Sequence, residues 1–181
     1  SGFLSADPRV VENPQPISRV TYSELRELSY MGASVLHEEA VFPVMEAGIP
    51  IAVKNTNRPE DPGTVISDRE DYVASEPIIT GVTGKKNFVA VHVLKDHMSN
   101  EVGIIRRTLT IFERYHVSVE HIPSGIDSFA VVVQGDDVKD CIWSIVADIK
   151  TEVAPDAIKV VDDLSLIECV FRAAPVAERT G

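Results

Sequence analysis

Between residues 77 and 164, strand-type and helix-type segments alternate in the order β-α-β-β-α-β, and this order predicts an α+β fold. A 44% hydrophobic and 25% charged composition with a mean hydropathy of +0.05 supports a folded chain rather than a disordered one. The 181 residues leave room for one mid-sized core and an additional segment.

Residues 1–76 read as that additional segment. Pro8, Pro14 and Pro16 space an extended opening, because each ring fixes φ and removes a backbone donor. Thr21 followed by Glu24 is a capping box that introduces a helix over Tyr22–Tyr30, ended by Gly32. A second helical stripe, Leu36, Ala40, Val44 and Ala47, precedes Gly48 as the residue after the helix, with Pro43 expected to kink it. Ile49–Val53 is strand-like, 55–63 is turn-rich, and Thr64–Ile66 is again extended. The segment therefore reads as two helices followed by β-structure.

In the second region Phe88–Leu94 is a β-rich run, and Val102–Tyr115 is a helix with Ile105, Leu109 and Phe112 on one face. Val117–Ile122 and Phe129–Val133 are strands around a turn at 124–127. Asp136 and Asp137 suit the positive end of a second helix, whose face carries Val138, Ile142, Ile145 and Ile149. Tyr115 and Trp143 are assigned to packing, and Ile158–Val161 closes the unit as a strand. These six elements make a ferredoxin-like split βαβ. Residues 165–171 add one strand with no helix after it, an edge in need of a partner.

Charge and motif content remove several functions. A net charge of −11 and a pI near 4.8 oppose loose binding to nucleic acid or to an anionic membrane. No run of 18 apolar residues is present, and the first residues lack signal-peptide character, so a cytoplasmic location is expected. Cys141 and Cys169 are expected to be buried small apolar residues, and neither CxxC nor HExxH occurs. No metal site is expected. The run from Gly81 to Lys86 lacks the glycine and the hydroxyl of a phosphate loop, so it reads as a strand and a tight turn. No nucleophile elbow is present, and the histidines at 37, 92, 97, 116 and 121 read as strand and loop residues.

The connection from the 88–94 strand to the following helix carries the informative chemistry. Ser99 or Asn100 can cap that helix, Gly103 permits close approach, and first-turn N–H groups with the helix dipole can receive a carboxylate. Near it fall Ser118-Val119-Glu120 and Ser124-Gly125-Ile126-Asp127, whose carboxylates can take an ammonium group. A carboxylate receptor beside an ammonium receptor suits a free α-amino acid. The alternative is a helix cap and a solvated strand residue with no ligand.

Five strings, Ser5-Ala6-Asp7-Pro8-Arg9, Gly32 to His37, Asn55-Thr56, Pro62-Gly63-Thr64 and Lys86-Asn87-Phe88, occur in an order that resembles the C-terminal part of a bacterial aspartokinase. The resemblance implies three parts. Residues 1–76 would be the end of an amino-acid kinase domain and linker, 77–164 an ACT regulatory domain, and 165–181 the first strand of a truncated second ACT unit. The strand over 77–86 is open to assignment to that second unit.

It further implies an effector-binding set of Met98, Ser99, Asn100, Gly103, Ile104, Ser118, Val119, Glu120, Ser124 and Asp127, with lysine or threonine as effector and a homodimer formed through ACT units. The family transfers a phosphoryl group from ATP, with magnesium, to the side chain of aspartate. Asp7 and Arg9 would be a nucleotide-binding remnant. Ser34 stands where many members have a lysine near the nucleotide, and the Lys-Phe-Gly-Gly signature of the family is absent. No cofactor and no kinase activity of its own are therefore expected of this chain. A purely structural role in joining subunits is the rival expectation.

Overall fold

A computed structural model of the chain describes residues 2–30, 36, 38–68 and 77–172. The expected helix end at Gly32, and the positions of Ser34 and His37, lie outside the described residues. Among the described residues, those up to 85 and those from 167 onward form one compact unit, and 86–166 form a second.

In the first unit, β1 (Arg19–Val20), α1 (Tyr22–Tyr30), α2 (Glu38–Glu46), β2 (Ile51–Val53) and β3 (Thr64–Ile66) follow in order. The three strands form a sheet β1-β3-β2, with β1 parallel and β2 antiparallel to β3. The capping box is formed. The Thr21 N–H donates to Glu24 Oε2 at 2.8 Å, and the Glu24 N–H donates to Thr21 Oγ1 at 3.1 Å. Burial of Glu24 is tolerated because Thr80 also donates to its second oxygen, at 3.2 Å.

Helix α2 runs through Pro43, and Gly48, at φ +64°, ends it as expected. The Ile49 N–H reaches the Val44 carbonyl and the Gly48 N–H the Met45 carbonyl, the paired bonds of a Schellman stop. Strand β1 has no sequence signature, because two residues carry no period. Phe3, Ile17, Val20, Tyr22, Leu25, Leu28, Val41, Ile66 and Val170 fill this core.

The second unit is the expected ferredoxin-like arrangement. Strand β4 (Ile79–Leu94) supplies residues 86–94 to it, followed by a 3-10 turn at Met98–Asn100, α3 (Ile104–Arg114), β5 (Val119–His121), β6 (Ser128–Gln134), α4 (Gly135–Val138), α5 (Ile142–Glu152) and β7 (Ala157–Phe171). The sheet order is β5-β6-β4-β7, with β4 and β6 antiparallel from Phe88 opposite Gln134 to Leu94 opposite Ser128. Val91, Val93, Phe129, Val131 and Val133 meet Ile104, Ile111, Phe112, Ile145 and Ile149 in one core. Phe88, Ala90 and Val132 form a second cluster with Leu164 and Leu166.

Several expectations are corrected. The turn read near Lys86 is absent, since 79–94 is one strand, and the closing strand joins the supposed orphan 165–171 in one strand, 157–171. The buried row of α3 is Ile104, Thr108, Ile111 and Phe112, with Ile105 and Leu109 only partly covered. Thr108 can be buried because its hydroxyl donates to the Ile104 carbonyl at 3.1 Å. The acidic pair Asp136–Asp137 opens the short α4, which stops before α5 begins. Trp143 is 72% exposed, and Cys141 is half-buried while Cys169 is exposed. Tyr115 does pack against the core, and its hydroxyl donates to Asp148 at 3.0 Å, tying α3 to α5 beside the Arg114–Glu152 ion pair.

Among the described residues no helix is long and apolar enough to cross a membrane, and no group of three or more His, Cys, Asp or Glu side chains is placed to hold a metal ion.

Candidate functional site

The candidate residues fall into three places. Ser5–Arg9 lie on the first unit, where the 3–5 stretch pairs with 15–17 and residues 7–11 form a turn closed by the Val10 and Val11 N–H groups on the Asp7 carbonyl. Asp7 and Arg9 are paired with each other. The guanidinium Nη2 stands 2.6 Å from Asp7 Oδ2, and the Arg9 backbone N–H donates to Oδ1 at 2.8 Å.

Those two interactions, the side-chain bond first, hold the Asp7 carboxyl down at about 2 from an ordinary 3.8. A carboxyl depressed in the folded chain stabilises it above the ordinary value, and this contribution fades as pH falls from about 3.8 toward 2. A carbon-detected NMR titration of Asp7 should give a midpoint near 2, and in Arg9→Ala, which keeps the backbone N–H bond, the midpoint should rise toward 3.8. An unchanged midpoint in the variant would disprove the pairing in solution.

The second place is the β4-to-α3 connection. The cap of α3 is Gly103, at φ +81° and without a side-chain bond, so neither Ser99 nor Asn100 caps the helix as expected. These two residues lie in the 3-10 turn and are exposed, while Met98 and Ile104 are buried in the core. Gly103 fits its role because a left-handed backbone favours a residue without Cβ. Helix geometry leaves the first-turn N–H groups of α3 without carbonyl partners inside the helix.

The turn at 124–127 is joined to this connection. Asp127 Oδ1 accepts the His97 N–H at 3.1 Å, and the Asp127 carbonyl accepts the Lys95 N–H at 2.9 Å. Ser124 sits at the base of the same turn, bridged to Phe129.

The third place is an open groove of about 1070 Å³ between α3 and β5, lined by Ile105, Arg106 and Leu109 on the helix and by Ser118, Val119 and Glu120 on the strand. The expected set is thus split between the start and the flank of α3, with Met98, Ser99, Asn100, Gly103, Ile104, Ser124 and Asp127 at its start and Ser118–Glu120 along its flank. Reading the sequence missed Lys95, Glu101 and Arg107, which surround the same connection. Their opposite charges, six residues apart at 95 and 101 and again at 101 and 107, were the available signal.

Residues 1–55 match the sequence model of the amino acid kinase family. Aspartokinase 3 of Bacillus subtilis is 39% identical over 170 residues, which is 93% of this chain and 37% of that protein. Among solved structures, the aspartate kinase of Clostridium acetobutylicum, described as an allosteric enzyme, is 47% identical with a TM-score of 0.85, covering all of this chain and 41% of that one. The fold is shared as well with Escherichia coli aspartokinase III in complex with lysine and aspartate, at 22% identity and a TM-score of 0.70, over 93% of this chain and 37% of that one. By sequence along nearly its whole length, and by fold, the chain is homologous to the aspartokinases and spans 37 to 41% of the length of these relatives.

Proposed function

We propose that residues 86–166 form an amino-acid-sensing regulatory module of an aspartokinase, with lysine or threonine as effector. The observation that carries this is the start of α3. A left-handed Gly103 opens an 11-residue helix whose first-turn N–H groups suit the effector carboxylate, and exposed Ser99 and Asn100 flank it. Glu120, on the groove along the same helix, supplies negative charge for an ammonium group. Strand β5 is at the sheet edge and carries this groove, so a second copy paired along β5 would complete the site across a dimer. Homology to an enzyme described as allosteric supports the regulatory reading.

In the whole protein the module would shift a kinase that phosphorylates the aspartate side chain, by binding its less active state more tightly. ATP with magnesium supplies the phosphoryl group and neutralises its charge there. Asp7 and Arg9, engaged with each other, are the residues of this chain that would lie by the nucleotide in that kinase.

A thermal-shift screen against single amino acids tests the reading. At about a hundred times its dissociation constant a ligand adds about 2.7 kcal/mol, which raises the midpoint by several degrees. Lysine or threonine should do so selectively. Ser99→Ala and Glu120→Ala should abolish the response while sedimentation still gives a dimer. A flat response to every amino acid would sink the sensor and leave a module that only joins subunits.

A further inference from the structure

The β4-to-α3 connection is fastened at every step of its first three residues. The Lys95 N–H donates to the Asp127 carbonyl at 2.9 Å, the Asp96 N–H to Asp156 Oδ2 at 2.6 Å, and the His97 N–H to Asp127 Oδ1 at 3.1 Å. His97 is held in a left-handed conformation, φ 60° and ψ 27°, which a residue with a Cβ rarely adopts unless its surroundings impose it.

The Lys95 side chain adds two more long-range bonds. It is only 19% exposed, and its Nζ lies 3.1 Å from the Val153 carbonyl, 3.0 Å from the Ala154 carbonyl and 3.2 Å from Glu101 Oε2. An ammonium has three donors, and all three are taken. Two of them close the C-terminal end of α5, where carbonyls lack helical partners and a positive charge is favourable. The third holds Glu101, which also pairs with Arg107 of α3. Arg107 in turn donates to the Val102 carbonyl at 3.3 Å. One half-buried cation therefore joins the end of α5, the acid just before Gly103, and through it the first turns of α3.

We propose that Lys95 is a positioning residue for the ligand-binding connection: it touches no ligand, but by tying Glu101 to the end of α5 it sets the conformation of residues 97–103 and makes ligand binding there sensitive to the α5-to-β7 junction. The ligand part of this inference rests on the sensor reading above, whereas the ordering of the loop does not. Asp156 belongs to the same device, since its own N–H donates to the Leu94 carbonyl at 2.9 Å while its carboxylate receives Asp96.

The test uses the full chain and two readouts. Without ligand, amide hydrogen exchange in Lys95→Met should quicken about tenfold over residues 97–103 and 153–156 and stay at the native rate in the β4 and β6 core. In titrations with L-lysine and L-threonine, the midpoint for whichever amino acid shifts the native chain should rise about tenfold. Lys95→Arg, which keeps a cation against the same carbonyls, should restore much of both. Glu101→Gln leaves the α5 end closed and should quicken exchange over 97–103 alone, so it decides the matter if Lys95→Met fails to fold. Native exchange over 97–103 in both Lys95→Met and Glu101→Gln would overturn the proposal. So would a quickened loop with an unmoved ligand midpoint. If neither amino acid shifts the native chain, the sensor reading fails, and the exchange data still decide whether Lys95 orders the loop.

Discussion

Phe112→Ala should cost the 86–166 unit about 3–5 kcal/mol, the usual loss for truncating a large aromatic side chain in a closed core. Phe112 is fully buried and shares its cluster with Val91, Val93, Val131, Val133, Ile145 and Ile149, from both central strands and from α5. Such a layer is packed to crystal density, so the ring's volume cannot be refilled by neighbours already held on strands. The cost is comparable with the whole stability of a small domain, about 5–15 kcal/mol. The core amides of β4 and β6 should lose most of their protection from hydrogen exchange, and the response to an amino-acid effector should vanish with them. Protection within about threefold of the native chain would mean that the packing around α3 is looser than the burial implies.

The second large effect is expected at Gly63, in the Pro62-Gly63-Thr64 string. Its φ is +71°, and a Cβ built there would collide with the Val53 carbonyl oxygen and press on Lys54. Backbone oxygen cannot swing aside as a side chain can, so Gly63→Ala must shift either β2 or the turn entering β3. Left-handed backbone alone costs an L-residue about 1–2 kcal/mol, and the collision should bring the total to at least about 2 kcal/mol. The neighbouring Thr64 raises the stakes. It is buried, receives the Phe3 N–H at 2.7 Å and donates to the Ile17 carbonyl, so a displaced β3 also loosens the chain's opening. Urea unfolding followed at Tyr22, in the same core, should move to lower midpoint in Gly63→Ala; an unchanged midpoint would show that the turn absorbs the Cβ.

The elements legible beforehand were those whose pattern is local. Thr21 and Glu24 announce a helix start because the two bonds of a capping box join residues three apart, and Gly48 announces a stop because a left-handed residue is needed there. The face of α3 is legible only in part. Of its three apolar residues Ile105, Leu109 and Phe112 only Phe112 is fully buried, joined by Ile104, Thr108 and Ile111, and a buried threonine is visible only when its hydroxyl has a carbonyl to bond.

The layout of the candidate site was legible in part. A loop rich in small polar residues before a glycine pointed to the start of α3, and Ser118–Glu120 to the adjoining edge strand. That Asp127 receives the N–H of His97, 30 positions earlier, could not be read from spacing, because it depends on the return of β6 beside β4.

The order of amphipathic segments by itself determined that this chain forms a ferredoxin-like unit, and the strings along it determined its aspartokinase kinship. Periodicity and capping act over three to seven residues, so they are written along the chain. Only the tertiary structure decided that 79–94 and 157–171 are single long strands, that Trp143 stays in water, and that Lys95 spends its three donors on the end of α5 and on Glu101. These depend on which surfaces and carbonyls distant segments leave for one another, and a carbonyl at the end of a helix accepts a lysine 59 residues away only because the fold brings it there.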